Sequence, residues 1–89
     1  MTAKSGLDTK SLMYDCLREL LKNIMRGDYR SGMPPQDTLA VQMGFHRSSL
    51  REAIAVLRFC DVLEVKRRMG TTVMPRDRWK PVIFEVLEG

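Results

Sequence analysis

Eighty-nine residues allow one domain with a modest core, and a chain that is 44% apolar and 29% charged is not a disordered one. Fifteen Lys and Arg against eleven Asp and Glu leave a net charge of +4, a balance suited to a polyanionic partner. A single histidine, His46, and two cysteines, Cys16 and Cys60, exclude a multi-histidine metal site, a zinc ribbon and a disulfide-built scaffold.

Residues 1–9 are polar, read as a flexible N-terminal segment, and lack the apolar stretch of a signal peptide. Asp8 and Thr9 are both candidates to cap the first helix. From there Leu12/Met13, Cys16/Leu17, Leu20/Leu21 and Ile24/Met25 recur every four residues, an apolar stripe at helical period that reads as core. Gly27 stands where a left-handed residue would end that helix. Tyr29 to Pro35 is rich in turn residues, with Gly32 and the Pro34–Pro35 pair as punctuation, and Pro35 suits the first turn of a new helix. That second helix is short, carries Leu39, Ala40 and Met43, and stops at Gly44.

A third helix follows Phe45-His46 and runs to about Phe59. Its Leu50, Ala53, Ile54, Val56 and Leu57 face inward, while Arg47, Ser48, Arg51, Ala55 and Arg58 face the other way. Val62–Lys66 and Thr71–Met74 are short extended segments, with Arg67, Arg68, Met69 and Gly70 as a basic hairpin tip between them. The remaining methionines read as gap-fillers of a small core. The longest apolar runs, such as Ala53–Leu57, are far shorter than the roughly 20 residues that span a bilayer. With no export signal, the cytoplasm is the expected compartment.

Helix, short helix, glycine-containing turn, helix and hairpin is the order of a winged helix-turn-helix, an α+β fold of three helices and a β-hairpin wing. Such a fold presents the start of its second motif helix to base edges in the major groove. Here that helix opens Arg47-Ser48-Ser49-Leu50-Arg51. Arginines four apart share one face, an arginine fork pairs with guanine, and serine bonds a base or a phosphate. A lone histidine, with no glycine-rich phosphate loop and no acids at metal-ligand spacing, leaves nothing that points to catalysis, and no cofactor is expected.

The run Met33–Ala53, MPPQDTLAVQMGFHRSSLREA, resembles the DNA-binding domain of GntR-type bacterial transcriptional regulators, whose pattern is roughly L-P-S-E-R-x-L-A-x-x-L-G-V-S-R-T-T-V-R-E-A. Gly70-Thr71-Thr72-Val73 is similar to the G-T-x-V of that family's wing, and Pro75-Arg76-Asp77-Arg78-Trp79 to the P-R-x-x-W of its FadR-type branch. The resemblance implies that Arg47 and Arg51 read the major groove, with Ser48, Ser49 and His46 beside them. It implies that Lys66, Arg67, Arg68 and Gly70 meet the minor groove and backbone. The partner is then double-stranded operator DNA, bound as a homodimer only in a longer form that carries an effector domain, with repression the commoner outcome.

Five residues depart from the family pattern. Asp37 replaces an arginine of the brace helix, Pro35 and His46 replace serine or threonine caps, Arg68 replaces a glycine of the wing, and Asp61 replaces a glycine after the third helix. On this reading residues 10–75 are the DNA-binding domain, and residues 76–89 are a linker at the start of a missing effector domain. The apolar tail Val82–Leu87 would seek a partner surface. The alternative is a winged-helix interaction module that does not read DNA, which would tend to lose both arginines, and here they are kept.

Overall fold

The computed structural model describes residues 9–88. The expected cap at Asp8 and the rest of the N-terminal segment through residue 8 lie outside the described residues, and Thr9 is already helical. Helices α1 (Thr9–Arg26), α2 (Gln36–Met43) and α3 (Arg47–Phe59) precede strands β1 (Leu63–Lys66) and β2 (Gly70–Val73). Two single 3₁₀ turns, Arg76–Arg78 and Pro81–Ile83, then lead into a short helix α4 (Phe84–Glu88). The strands form an antiparallel hairpin with Leu63 opposite Val73 and Lys66 opposite Gly70. This is the winged helix-turn-helix expected from the pattern, with one short helix added.

The apolar stripe of α1 buries Cys16, Leu17, Leu20, Leu21 and Ile24, and its main partner is α3, which buries Leu50, Ala53, Ile54 and Leu57. Leu39 and Ala40 of α2, then Val62 and Leu63 entering the wing, close the same core. The stripe ends sooner than its period suggests, because Met25 is exposed. Met13, Met33, Met43 and Met74 pack against the core as gap-fillers, whereas Met69 stands exposed at the wing tip. Asn23 is the one buried polar side chain among the described residues. It donates to the Tyr29 hydroxyl at 3.2 Å and accepts from Arg26 at 2.7 Å, so it is satisfied.

All three long helices end in one hydrogen-bonded pattern. The residue after the C-cap is left-handed, its N–H bonds three residues back, and the next N–H reaches five residues back. In α1 the pairs are Gly27 to Ile24 and Asp28 to Asn23; in α2 they are Gly44 to Val41 and Phe45 to Ala40. In α3 they are Asp61 to Arg58 at 3.1 Å and Val62 to Leu57 at 2.9 Å. There the left-handed residue is an aspartate at φ 63°. The backbone thus takes the glycine conformation although the glycine is gone. Asp61→Gly should stabilise the domain by about 1 kcal/mol, since aspartate pays a steric cost at positive φ. Its 3.9 Å approach to Lys80 is exposed and offsets little. The measurement is the melting temperature, expected to rise by about 4 °C or more. A fall would show that the Asp61 side chain contributes more than its backbone costs.

Pro35 stands at the cap position that the resemblance implies, one residue ahead of the first helical turn. It is the N-cap of α2, with extended backbone (φ −55°, ψ 151°), and the helix proper starts at Gln36.

The segment expected to be a linker carries its own structure. Trp79, Ile83 and Val86 are buried in the same core, and α4 packs against α1. The Trp79 indole N–H donates to the Met74 carbonyl at 2.9 Å, and the Lys80 amide donates to the Cys60 carbonyl at 2.8 Å. Trp79 also stacks on Phe84 with ring centroids 5.9 Å apart. Ile83 and Val86 of the apolar tail are therefore covered within the chain, while Val82 stays exposed. Period arguments miss this because the tail is built from single 3₁₀ turns and a five-residue helix, all too short for a repeat to detect.

Candidate nucleic-acid interface

The start of α3 is held outward by its own buried face. Leu50 is fully buried, which fixes the rotation of the helix and leaves Arg47, Ser48 and Arg51 exposed and Ser49 half-buried. Ahead of them Gly44, left-handed at φ 77°, turns the chain between α2 and α3, as a tight helix-turn-helix requires. His46 is the N-cap of α3 and makes no side-chain capping bond; its ring is exposed. Asp37, Ala40 and Val41 from α2 face Phe45, His46, Arg47, Ser48 and Arg51 across a shallow concavity. Sequence reasoning gave no signal for Val41, an apolar side chain 82% exposed on this face.

Asp37 is the awkward residue of the expected pattern, a carboxylate where the resemblance implies an arginine. In the structure its Oδ1 lies 3.0 Å from Nε of Arg47. The pair bridges the first turns of α2 and α3, ten residues apart in sequence, and both side chains remain mostly exposed, 71% and 64%. No ion pair involves Arg51 among the described residues.

The wing presents Lys66, Arg67, Arg68, Met69 and Gly70, all exposed. The Met69 amide donates to the Lys66 carbonyl at 3.2 Å, closing a turn whose third residue, Arg68, has φ 72°. A positive φ at that place is the pattern of a type II turn and favours glycine. The expected glycine is absent here too, and the backbone again keeps its shape. The wing is fixed to the rest of the fold through the Met33 amide, which donates to the Thr71 carbonyl at 3.2 Å on the free edge of β2.

Three cations follow the wing: Arg76, Arg78 and Lys80. Two are engaged within the chain. Arg76 lies over the Trp79 ring (5.4 Å to the centroid) and the Phe84 ring (5.8 Å). Lys80 donates to the Phe59 carbonyl at 2.9 Å and sits 4.6 Å above the Phe59 ring. Arg78 instead lines a separate groove beside Arg58 and Phe59.

The remaining reactive groups are quiet. Burial pushes the Cys16 thiol up to about 11 and raises Cys60 in the same direction, so both are protonated near neutral pH. Among the described residues, no group of three or more His, Cys, Asp or Glu is placed to hold a metal ion, and no helix is long and apolar enough to cross a membrane.

Residues 14–73 match the sequence pattern of a family described as bacterial regulatory proteins, gntR family. The chain is also 32% identical over 89 residues to an uncharacterized HTH-type transcriptional regulator, YieP, of Escherichia coli strain K12. That match covers 98% of this chain and 39% of the relative, so the chain spans about two fifths of the length of the regulator it resembles. No solved structure matches it.

Proposed function

The chain belongs to the gntR family of bacterial regulatory proteins, and from that premise we propose how it engages double-stranded operator DNA. The start of α3 enters the major groove, where Arg47 and Arg51 meet base edges and Ser48, Ser49 and His46 meet bases or phosphates. The observation that carries this reading is the separation of faces on α3: four buried apolar residues on one side, two exposed arginines a turn apart on the other. The wing, with Lys66, Arg67, Arg68 and Gly70, approaches the neighbouring minor groove and backbone, where a narrow groove attracts arginine.

In this reading residues 10–75 form the DNA-reading unit, and the chemistry is binding alone, in the cytoplasm. Repression, pairing of two copies on a two-fold operator and sensing of a small acid by an effector domain follow from the family resemblance. Membership of the FadR-type branch rests on Pro75-Arg76-Asp77-Arg78-Trp79. The deciding experiment is selection of bound duplexes from a random pool. Enrichment of a defined half-site supports the reading, and a pool that stays random sinks it.

Arg68 supplies a second test. An arginine held at positive φ costs stability, and strain kept at one residue directs attention to what that residue does. Exchanging Arg67→Ser and Arg68→Gly together should flatten the dependence of log affinity on log salt by about one unit for each phosphate the wing no longer touches. The same variant should melt higher, because Gly relieves the strained turn. Weaker binding from a more stable protein would set the wing cations apart from the scaffold. An unchanged salt slope would leave the wing as a structural hairpin.

A further inference from the structure

We propose that Asp37 is a positioning and specificity-determining residue: its carboxylate holds Arg47 by Nε so that the guanidinium reads a base edge rather than a phosphate. The inference rests on the reading of Arg47 as a DNA contact and names how that contact is aimed.

Folding does not explain the pair. Both side chains are exposed, and exposed ion pairs contribute little to stability. Bulk affinity for DNA does not explain it either, since a carboxylate on the face presented to phosphates repels them. What the geometry does provide is a fixed negative charge beside the stem of Arg47. The Asp37 oxygen lies 3.0 Å from Nε, the nitrogen that joins the aliphatic stem to the two terminal nitrogens. Those two nitrogens form the fork that meets O6 and N7 of guanine. An arginine on a flexible stem has many rotamers, and a neighbouring phosphate competes with a base for it. A carboxylate at Nε restricts the stem, and its charge makes the phosphate the poorer choice. Asp37 thereby lowers binding to any duplex and sharpens the choice among duplexes.

The two consequences move in opposite directions, which separates this role from a structural one. Pools selected with the 89-residue chain, D37N and R47A identify the base position that depends on Arg47. Each protein is then titrated against the selected duplex and a scrambled one at several salt concentrations. For D37N, discrimination at the Arg47 position should fall about fivefold or more. Its affinity for the scrambled duplex should rise about twofold or more as a repulsive charge is removed. The far-UV spectrum and melting temperature should stay close to those of the parent, because the site is exposed.

An R47A-sensitive preference that D37N leaves intact overturns the proposal while sparing the DNA reading. Equal weakening of both duplexes by D37N marks a merely structural role and overturns it as well. If R47A keeps the parent preference at every position, Arg47 reads no base and Asp37 aims nothing. If the parent chain enriches no sequence, the DNA reading itself fails and this inference falls with it.

Discussion

Leu57→Ala should bring the domain close to unfolding at physiological temperature. Leu57 is fully buried where three parts of the fold meet: it faces the α1 stripe, sits on α3, and its carbonyl accepts the Val62 amide that closes the helix. Removing three carbons there leaves a cavity the surrounding helices cannot fill without shifting, at a cost of about 2–5 kcal/mol. A domain of this size has a total stability of about 5–13 kcal/mol, so the loss is a large fraction of it. The melting temperature should fall by about 10 °C or more. Trp79, the single tryptophan, is buried against Phe84 and reports the transition by fluorescence in urea. The midpoint should drop while the slope stays the same, since the surface exposed on unfolding hardly changes. Val41→Ala, at an exposed position, is the control and should shift stability by less than about 0.5 kcal/mol. A Leu57→Ala protein as stable as that control would mean the core does not depend on this residue.

The contrast between Leu57 and Val41 shows which parts of the molecule can be read from its sequence. Leu57 belongs to a run repeating at helical period, and exclusion of water acts on such a run whatever its neighbours do. The α1 stripe, the inward face of α3 and the hairpin with its basic tip are legible for that reason. Val41 is apolar at a place where the period does not decide between core and surface, and only the packed helices show it to be exposed. The tail is opaque for a different cause. Trp79 and Ile83 reach the core by way of single 3₁₀ turns and Val86 from a five-residue helix, all too short for a repeat to announce them. Asp61 and Arg68 mark a third limit. A glycine would have declared a left-handed backbone, whereas an aspartate and an arginine conceal it, and here the fold imposes the conformation against the preference of the side chain.

The interface divides along the same line. That Arg47 and Arg51 share a face follows from spacing alone. That one of them is tethered and the other is not depends on where α2 places Asp37 after the Gly44 turn, and no local pattern encodes a contact across ten residues. From sequence, a carboxylate at position 37 implies either a missing phosphate contact or a tilted helix; the observed answer is an ion pair.

Arg51→Ala should weaken binding to the selected duplex by about 1–3 kcal/mol, roughly 5- to 150-fold in dissociation constant. Arg51 is exposed, lies one turn beyond Arg47 on α3, lines the concavity between the motif helices, and has no ion-pair partner among the described residues. Its whole charge is therefore available to DNA. The substitution alone does not say whether base or phosphate is touched, and Arg51→Lys separates the two. Lysine keeps the charge but lacks the planar fork, so it serves a phosphate well and a guanine edge poorly. If Arg51 reads a base, Arg51→Lys should recover the affinity for a scrambled duplex while discrimination among sequences stays near that of Arg51→Ala. Full recovery on both duplexes would make Arg51 a backbone contact, and unaltered binding by Arg51→Ala would remove it from the interface. Arg78→Ala removes an equal charge outside that concavity, on the groove beside Phe59, and should leave discrimination unchanged. With net charge reduced identically in both alanine variants, a difference between them can come only from where on the surface the arginine stands.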